Sequence, residues 1–306
     1  MSIQPTVSVI IPARDAADAL PGALEAVRKQ DYGNVIEVIV AAADESTAAV
    51  SDGATVVSNP GGSTPSGLNR ALAASSGEVI VRCDAQSTLP QGYVSRAVET
   101  LARTGAAAVG GMQVPVGSTP WEHAIAAAMR SRLGAGDARY RVGGSEGPVE
   151  TVYLGVFARE TLVDLGGYDE QFIRTQDYEL NHRIIAAGGV VWFDPALAVE
   201  YRPRGSLVQL WRQYFEYGQA KRQFRGKHPG SLRWRQLAPP VLVVALAVAI
   251  IASFWWPLAL VVPIAYAAAL LIAALAMGQP RSTLALATMH LAWGLGFLMS
   301  GNTENQ

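Results

Sequence analysis

The sequence carries a single cysteine, Cys83, among 306 residues, which excludes a disulfide framework and a cysteine-based zinc site and is compatible with a reduced setting. Charge is missing from one long stretch. From Leu237 to Ser300 the only acidic or basic side chains are Arg281 and His290, a depletion that fits a membrane and not a water-facing surface. No Gly-x-Gly-x-x-Gly occurs, and the glycine-rich turn at residues 59–65 is no phosphate loop, because Leu68 follows Gly67 where that chemistry needs lysine. The opening Met-Ser-Ile-Gln-Pro has neither a basic nor an apolar signal region, so the first domain is expected to stay on the side where it is made.

Half of the residues are apolar, more than one soluble core needs, and they are unevenly spread. Residues 1–205 have the mixed composition of a soluble α/β domain, 206–236 form an amphipathic basic segment, and 237–301 form a transmembrane region. The net charge of −1 hides this layout, because basic residues crowd just ahead of the apolar block.

Strand and helix signals alternate in the soluble part. Residues 6–12 (Thr-Val-Ser-Val-Ile-Ile-Pro) read as a first strand ended by proline. Leu20, Leu24 and Val27 then recur at helical spacing, with Asp18 placed to cap and Pro21 in the first turn. Residues 36–41 are a second strand that runs out at Asp44 and Glu45, and Val56 with Val57 makes a short third. The turn at 59–65 leads into a helix carrying Leu68 and Leu72. A fourth strand, Glu-Val-Ile-Val, stops at Arg82-Cys83-Asp84-Ala85-Gln86, and a helix over 90–104, a strand over 107–116 and a helix over 121–133 follow. Residues 134–148 hold five glycines, Arg139 and Arg141 without a hydrophobic period, and read as a lid or acceptor-side loop.

Two acids stand out. A strand that stops abruptly at an acid delivers Asp84 to the rim of a parallel sheet, where ligands bind in open α/β folds, and a carboxylate there suits a divalent cation or a ribose hydroxyl. The other reading makes Asp84 a cap of the turn before Pro90. Asp177 sits where a helix begins, ahead of Leu180 and Ile184, after the paired glycines Gly166 and Gly167 close a shorter helix. The helix dipole holds such a carboxylate ionised, which suits a general base and equally an N-cap.

Taken together, Val-Ile-Ile-Pro-Ala-Arg at 9–14, the acid-terminated second strand, Asn-Arg-Ala-Leu-Ala at 69–73, Arg-Cys-Asp-Ala-Gln at 82–86, Gly-Gly-Tyr-Asp-Glu at 166–170 and Gln-Asp-Tyr-Glu-Leu at 176–180 resemble a family 2 inverting glycosyltransferase of the GT-A fold. Within that family the chain most resembles bacterial membrane-anchored enzymes of the succinoglycan or exopolysaccharide type. The resemblance implies a Rossmann-like α/β domain with a mostly parallel sheet, followed by interfacial helices and C-terminal transmembrane helices. It implies that Pro12, Ala13 and Arg14, with Asp44, line the base and ribose of a nucleotide-sugar. Asp84 would bind the diphosphate through a divalent metal, Mn²⁺ or Mg²⁺, with Gln86 where the family has a second acid; an amide oxygen ligates a metal without adding charge. Asp177 would be the general base, with Gln176 in place of a glutamate. A Gln/Arg-x-x-Arg-Trp motif of the family is reduced to Gln219-Ala220-Lys221-Arg222, which leaves Lys221 or Arg222 as a basic contact to the donor.

Leu207, Leu210, Trp211, Tyr214 and Phe215 form a stripe at helical spacing, followed by a run of Arg and Lys, and read either as an interfacial helix on an anionic leaflet or as a helix packed on the catalytic domain. Residues 239–256, 258–277 and 283–300 are each long enough to cross a ~30 Å hydrocarbon core. Three spans are expected, with two spans and a re-entrant hairpin as the alternative, and with the catalytic domain and Arg281 inside. His290 is assigned to helix packing. The expected function is inverting transfer of a sugar from a nucleotide-diphosphate sugar to a lipid-linked or growing polysaccharide acceptor at the cytoplasmic face of the plasma membrane. Membrane lipids, but no nucleic acid, are expected partners. A polyprenyl-phosphate sugar synthase and a non-catalytic membrane scaffold are the alternatives.

Overall fold

The structure, a computed structural model, describes residues 4–231 and 233–299. Residues 1–3, 300 and 301, on which the N-terminal reading and the ends of the third span and of the transmembrane region fall, lie outside them. The chain forms two compact units, Met1–Val114 with Arg139–Tyr201, and Pro115–Ala138 with Arg202–Gln306.

In the first unit β1 (Val7–Ala13), α1 (Leu20–Arg28), β2 (Val35–Ala42), α2 (Glu45–Ala49), β3 (Thr55–Ser58), α3 (Thr64–Ala74), β4 (Val79–Arg82) and α4 (Tyr93–Thr104) alternate, and all but the short α2 follow the sequence pattern. After β5 (Ala108–Pro115) the chain leaves for α5 (Pro120–Arg130) and α6 (Arg132–Ala135) of the second unit. It returns as α7 (Arg139–Val142), β6 (Gly147–Pro148), β7 (Tyr153–Ala158), α8 (Arg159–Asp164), α9 (Gln176–Ala186) and β8 (Val191–Tyr201). One sheet results, in the order β3-β2-β1-β4-β7-β5-β8-β6. Its β3-β2-β1-β4 half is parallel, and β7 runs antiparallel to both β4 and β5.

Strands covered on both faces are near-continuous apolar runs, and β1 and β4 have that character. Val9, Ile11, Val81 and Cys83 face a core shared with Leu24 of α1 and Val94 of α4. Ile10, Ile39 and Ile80 face Leu68 of α3 and Leu180 of α9. Because side chains alternate along a strand, Arg82 shares the face of Ile80 and points to the α9 side of the sheet.

Two local expectations need correction. Asp18 does not cap α1: its N-cap is Ala19, without a side-chain cap, and Pro21 sets the first turn. The stretch 134–148 is not one irregular loop, because α7 and a β6–β8 pairing of Gly147 with Phe193 give it structure. Glu146 accepts from Trp192 Nε1 at 2.8 Å and pairs with Arg103, which ties its far end to the first unit.

The second unit adds α10 (Leu207–Lys227), α11 (Trp234–Ala252), a 3₁₀ turn (Pro257–Leu260), α12 (Val261–Ala276) and α13 (Ser282–Leu298) to α5 and α6. Thus the stretch read as one continuous domain over 1–205 gives up residues 115–138, which pack with these helices. Thr119 and Glu122 close a capping box at α5, and Glu122 also accepts from Arg202 Nε at 3.0 Å. The core helix is α13, whose Ala285, Leu286, Met289 and Ala292 are fully buried. Of the three expected spans, α11 and the 3₁₀ turn with α12 are long and apolar enough to cross a membrane, whereas α13 is shorter and already covered by protein on its apolar side. His290 serves packing there: Nε2 donates to the Leu133 carbonyl at 2.8 Å, which leaves Nδ1 to accept from the Tyr266 hydroxyl at 3.0 Å.

Candidate functional site

The parallel strands end on one rim, and the chain order reverses between β1, which is followed by β2 on one side, and β4 on the other. Such a switch point leaves a crevice at the carboxyl ends of the strands. Arg14 leaves β1 there, Asp44 follows β2, Asn59 follows β3 and Asp84 follows β4.

The β1 exit is a tight corner. Pro12 lies against Gly67 of α3, where an added Cβ would stand 3.2 Å from the proline ring, and Ala13 is buried. Arg14 is exposed, lies along Gly62, and pairs with Asp15 at 3.5 Å. Gly62 holds a left-handed backbone of φ +64°, which a side chain would strain. Asp44 is the N-cap of α2. Its Oδ1 accepts from Ser46 Oγ at 2.6 Å and the Thr47 amide at 2.8 Å, and its Oδ2 from the Asp15 amide at 2.8 Å and Thr47 Oγ1 at 2.9 Å. These bonds, that of Ser46 first, hold the carboxyl far below the usual carboxylate range. A carboxylate offers about four acceptor sites, so Asp44 spends its capacity on fastening the Asp15 corner to α2.

The other half of the rim joins two acids that are distant in sequence. Arg82, with 4% of its side chain exposed, donates from Nη2 to Asp84 Oδ1 at 2.9 Å and from Nε to the same oxygen at 3.1 Å, while Nη1 bonds Asp177 Oδ1. Burial alone would lower the guanidinium's affinity for its proton, but Asp84 reverses that and the group stays charged. Asp84 and Asp177 keep 33% and 28% of their side chains exposed, so each still presents a face to solvent. Asp177 is not the N-cap of α9: that position is Thr175, with φ +64° and no side-chain cap bond, and Asp177 lies in the first turn. There the helix N-terminus still favours its negative charge.

Around the bridge, two motifs that are far apart in sequence lock together. Asn69 of α3 donates to the Tyr168 carbonyl at 2.8 Å and accepts from the Tyr168 amide at 2.7 Å. A Cβ on Gly167 would stand 2.5 Å from that Asn69 oxygen, so only glycine allows the approach. Arg183 of α9 grips Glu179 and donates to the carbonyls of Leu165 and Gly167, both at 2.8 Å. This clamp buries Tyr168 beside Arg82 and Asp84, with no hydrogen-bond partner for its hydroxyl among the described residues. Burial, with a smaller push from Asp84, raises its hydroxyl pKa to about 12. Cys83 is buried too, and burial pushes its thiol up.

Among the described residues no three His, Cys, Asp or Glu side chains gather to cage a metal. Asp84 offers one anionic oxygen, Oδ2, that Arg82 does not bond, and Gln86 is an exposed amide two residues on. That donor set fits a Mg²⁺ or Mn²⁺ ion held by one carboxylate together with substrate phosphates and water, and not an all-protein site. Lys221 and Arg222 belong to the second unit. Lys221 lies buried over the Phe224 ring at 4.5 Å, where burial lowers its pKa to about 6, and Arg222 donates to the Phe297 carbonyl at 3.2 Å. Arg82, Asn69 and Tyr168 were not singled out as site residues from sequence. The signal for Arg82 was present, as a charge closing a fully apolar strand two residues before an acid.

Residues 8–166 match the family described as Glycosyl transferase family 2. The succinoglycan biosynthesis protein ExoA of Rhizobium meliloti (strain 1021) is 32% identical over 249 residues, which span 78% of this chain and 75% of that protein. Among solved structures, the mannosyltransferase PcManGT from Pyrobaculum calidifontis in complex with GDP-Man and Mn²⁺ aligns over 95% of this chain and 88% of its own, with a TM-score of 0.66 at 21% identity. S. aureus TarS 1–349 aligns over 96% of this chain and 90% of its own, with a TM-score of 0.51 at 13% identity.

Proposed function

Because the chain belongs to glycosyl transferase family 2 and is a glycosyltransferase of the GT-A fold, we propose that it transfers a sugar, with inversion, from a nucleotide-diphosphate sugar to a lipid-linked or growing polysaccharide acceptor at the cytoplasmic face of the membrane. The observation that carries this reading is the Arg82 bridge, which brings Asp84 of the strand rim and Asp177 of α9 to one guanidinium. Single displacement at an anomeric carbon needs two such groups: one takes the acceptor hydroxyl's proton, and one serves the departing diphosphate.

In the proposed step Asp177 accepts the proton as the acceptor oxygen attacks the anomeric carbon. The bond from that carbon to the diphosphate breaks on the opposite face, and the configuration inverts. When bound, Mn²⁺ or Mg²⁺ supplies positive charge to the leaving diphosphate, and Asp84 Oδ2 with Gln86 would hold it. Pro12, Ala13 and Arg14 form the wall for base and ribose, with Arg14 the exposed cation, and Asp44 keeps that corner in place. Arg82 holds both acids in their orientation through its hydrogen bonds.

The test is a screen of nucleotide-sugars for metal-dependent release of the nucleoside diphosphate by the full chain in detergent, with calorimetric titration of the diphosphate and Mn²⁺. Asp84→Ala is expected to abolish metal-dependent donor binding, because it removes the one full charge available to the ion. Unchanged affinity and metal dependence in that variant would overturn the assignment. Products formed with polyprenyl phosphate instead of a lipid-linked saccharide would reassign the acceptor.

A further inference from the structure

The second unit carries a large apolar surface that its own fold does not cover. In the segments Arg235–Ala252 and Pro257–Ala276 only 11% and 17% of residues are buried, so these are not core helices of a soluble unit. Val241, Val248, Ile264 and Ile272 point outward from α11 and α12. At 18 and 20 residues the segments reach about 27–30 Å, the thickness of a hydrocarbon core. Phe254 and Trp255, each 82% exposed, and Trp256 sit at the turn between them. That turn carries no charge, whereas Arg233 and Arg235 stand at the start of α11 and Arg281 follows α12.

From this we infer that α11 and α12 enter the bilayer as a two-pass hairpin, and that α13 stays outside the hydrocarbon, so that the end of α13 lies on the same face as Arg235 and Arg281. The occupant of the apolar surface is lipid. Tryptophans at the turn suit the far headgroup layer, and arginines at both open ends hold the near one.

What keeps α13 out is its partner. It runs along α10, whose Arg212, Arg222, Arg225 and Lys227 are exposed. A Cβ on Gly218 of α10 would stand 2.2 Å from the Trp293 carbonyl, and one on Gly296 2.1 Å from the Phe215 carbonyl, so the two backbones touch. To embed α13 would drag these charges into the hydrocarbon, where an ionised side chain stripped of its water is strongly disfavoured. At its other end Ser282 Oγ donates to the Ala124 carbonyl of α5 at 2.8 Å, which fastens α13 to a second helix of the unit.

The inference rests on the membrane association proposed above but not on the transfer reaction, and one experiment separates the two. Membranes of cells making the full chain are first washed with alkaline carbonate. Intact cells and inside-out vesicles are then labelled with a membrane-impermeant maleimide in Trp256→Cys, Pro280→Cys and Met299→Cys. Cys83 is buried and makes a silent background. Trp256→Cys, or Phe254→Cys should the first variant fail to fold, is expected to label only from outside. Pro280→Cys and Met299→Cys should label only in inside-out vesicles. Outside labelling of Met299→Cys would make α13 a third span and overturn the inference, and a turn unlabelled from outside would overturn the two-pass hairpin. Release by carbonate, with the apolar face buried in a dimer, would remove the membrane reading itself.

Discussion

Replacing Arg82 by methionine keeps a long apolar stem in a buried slot and removes the guanidinium that joins Asp84 to Asp177. A hydrogen bond to a charged group contributes about 1.5–3 kcal/mol, and each carboxylate loses its partner. Both acids keep about a third of their side chain in water, so solvent takes over part of the role and the low end applies, about 3 kcal/mol in all. Relief from burying the guanidinium returns some of this, which leaves a net loss of about 2 kcal/mol. For a unit of this size the unfolding midpoint should fall by about 4–8 °C. The sharper measurement is a double-mutant cycle. In an Asp177→Asn background one of the two contacts is already weakened, so Arg82→Met should cost about half as much, a coupling of about 1 kcal/mol against the ~0.3–0.5 kcal/mol scatter of independent sites. Thermal unfolding of the four proteins in detergent reads this directly. Turnover in Arg82→Met should fall by about 10²-fold, because the base loses its fixed position. Additive stability effects, or undiminished turnover, would refute the bridge as a working element.

Three further outcomes are expected. Asp177→Asn should preserve donor affinity while transfer falls by roughly 10²-fold or more, the range for losing a positioned base, and normal transfer would end its catalytic assignment. Gln86→Asp should tighten metal binding by restoring an anionic ligand, and calorimetry showing no change would mean that Gln86 does not ligate. Glu122 is held near a pKa of about 2, first by the Ser118 hydroxyl and then by further bonds that include Arg202, so in the folded state it protonates at lower pH than in the unfolded chain. It therefore adds stability above the ordinary carboxylate range of about 4.3, and that stability drains away as the pH falls toward 2. The gap in unfolding midpoint between wild type and Glu122→Gln should accordingly narrow from pH 6 to pH 3, and a constant gap would show that the network does not stabilise the helical unit.

Much of the architecture was legible in the sequence, because its signals are local. Unbroken β-branched runs at residues 9–11 and 79–81 require strands covered on both faces, and an acid just after such a run falls at a sheet rim whatever else the chain does. Depletion of charge after Leu237 is likewise a property of composition, and it marks apolar helices without reference to their neighbours. Other features depended on partners that are distant along the chain. Hydropathy rates α13 as a span because it counts side chains, whereas the close approach of α10 at Gly218 and Gly296 decides that its apolar side meets protein. Residues 115–138 read as part of the α/β domain by position, yet their helices pack with the second unit. Asp177 sits at a helix start in any linear reading, but its cap position passed to Thr175 through a left-handed backbone that no residue pattern announced. The bridge itself joins positions 95 residues apart, and only folding turns Arg82 and Asp177 toward each other. Local pattern sets which face of an element is apolar, because periodicity is short-ranged; which charge meets which is set by the packing of elements, and that is a property of the tertiary structure alone.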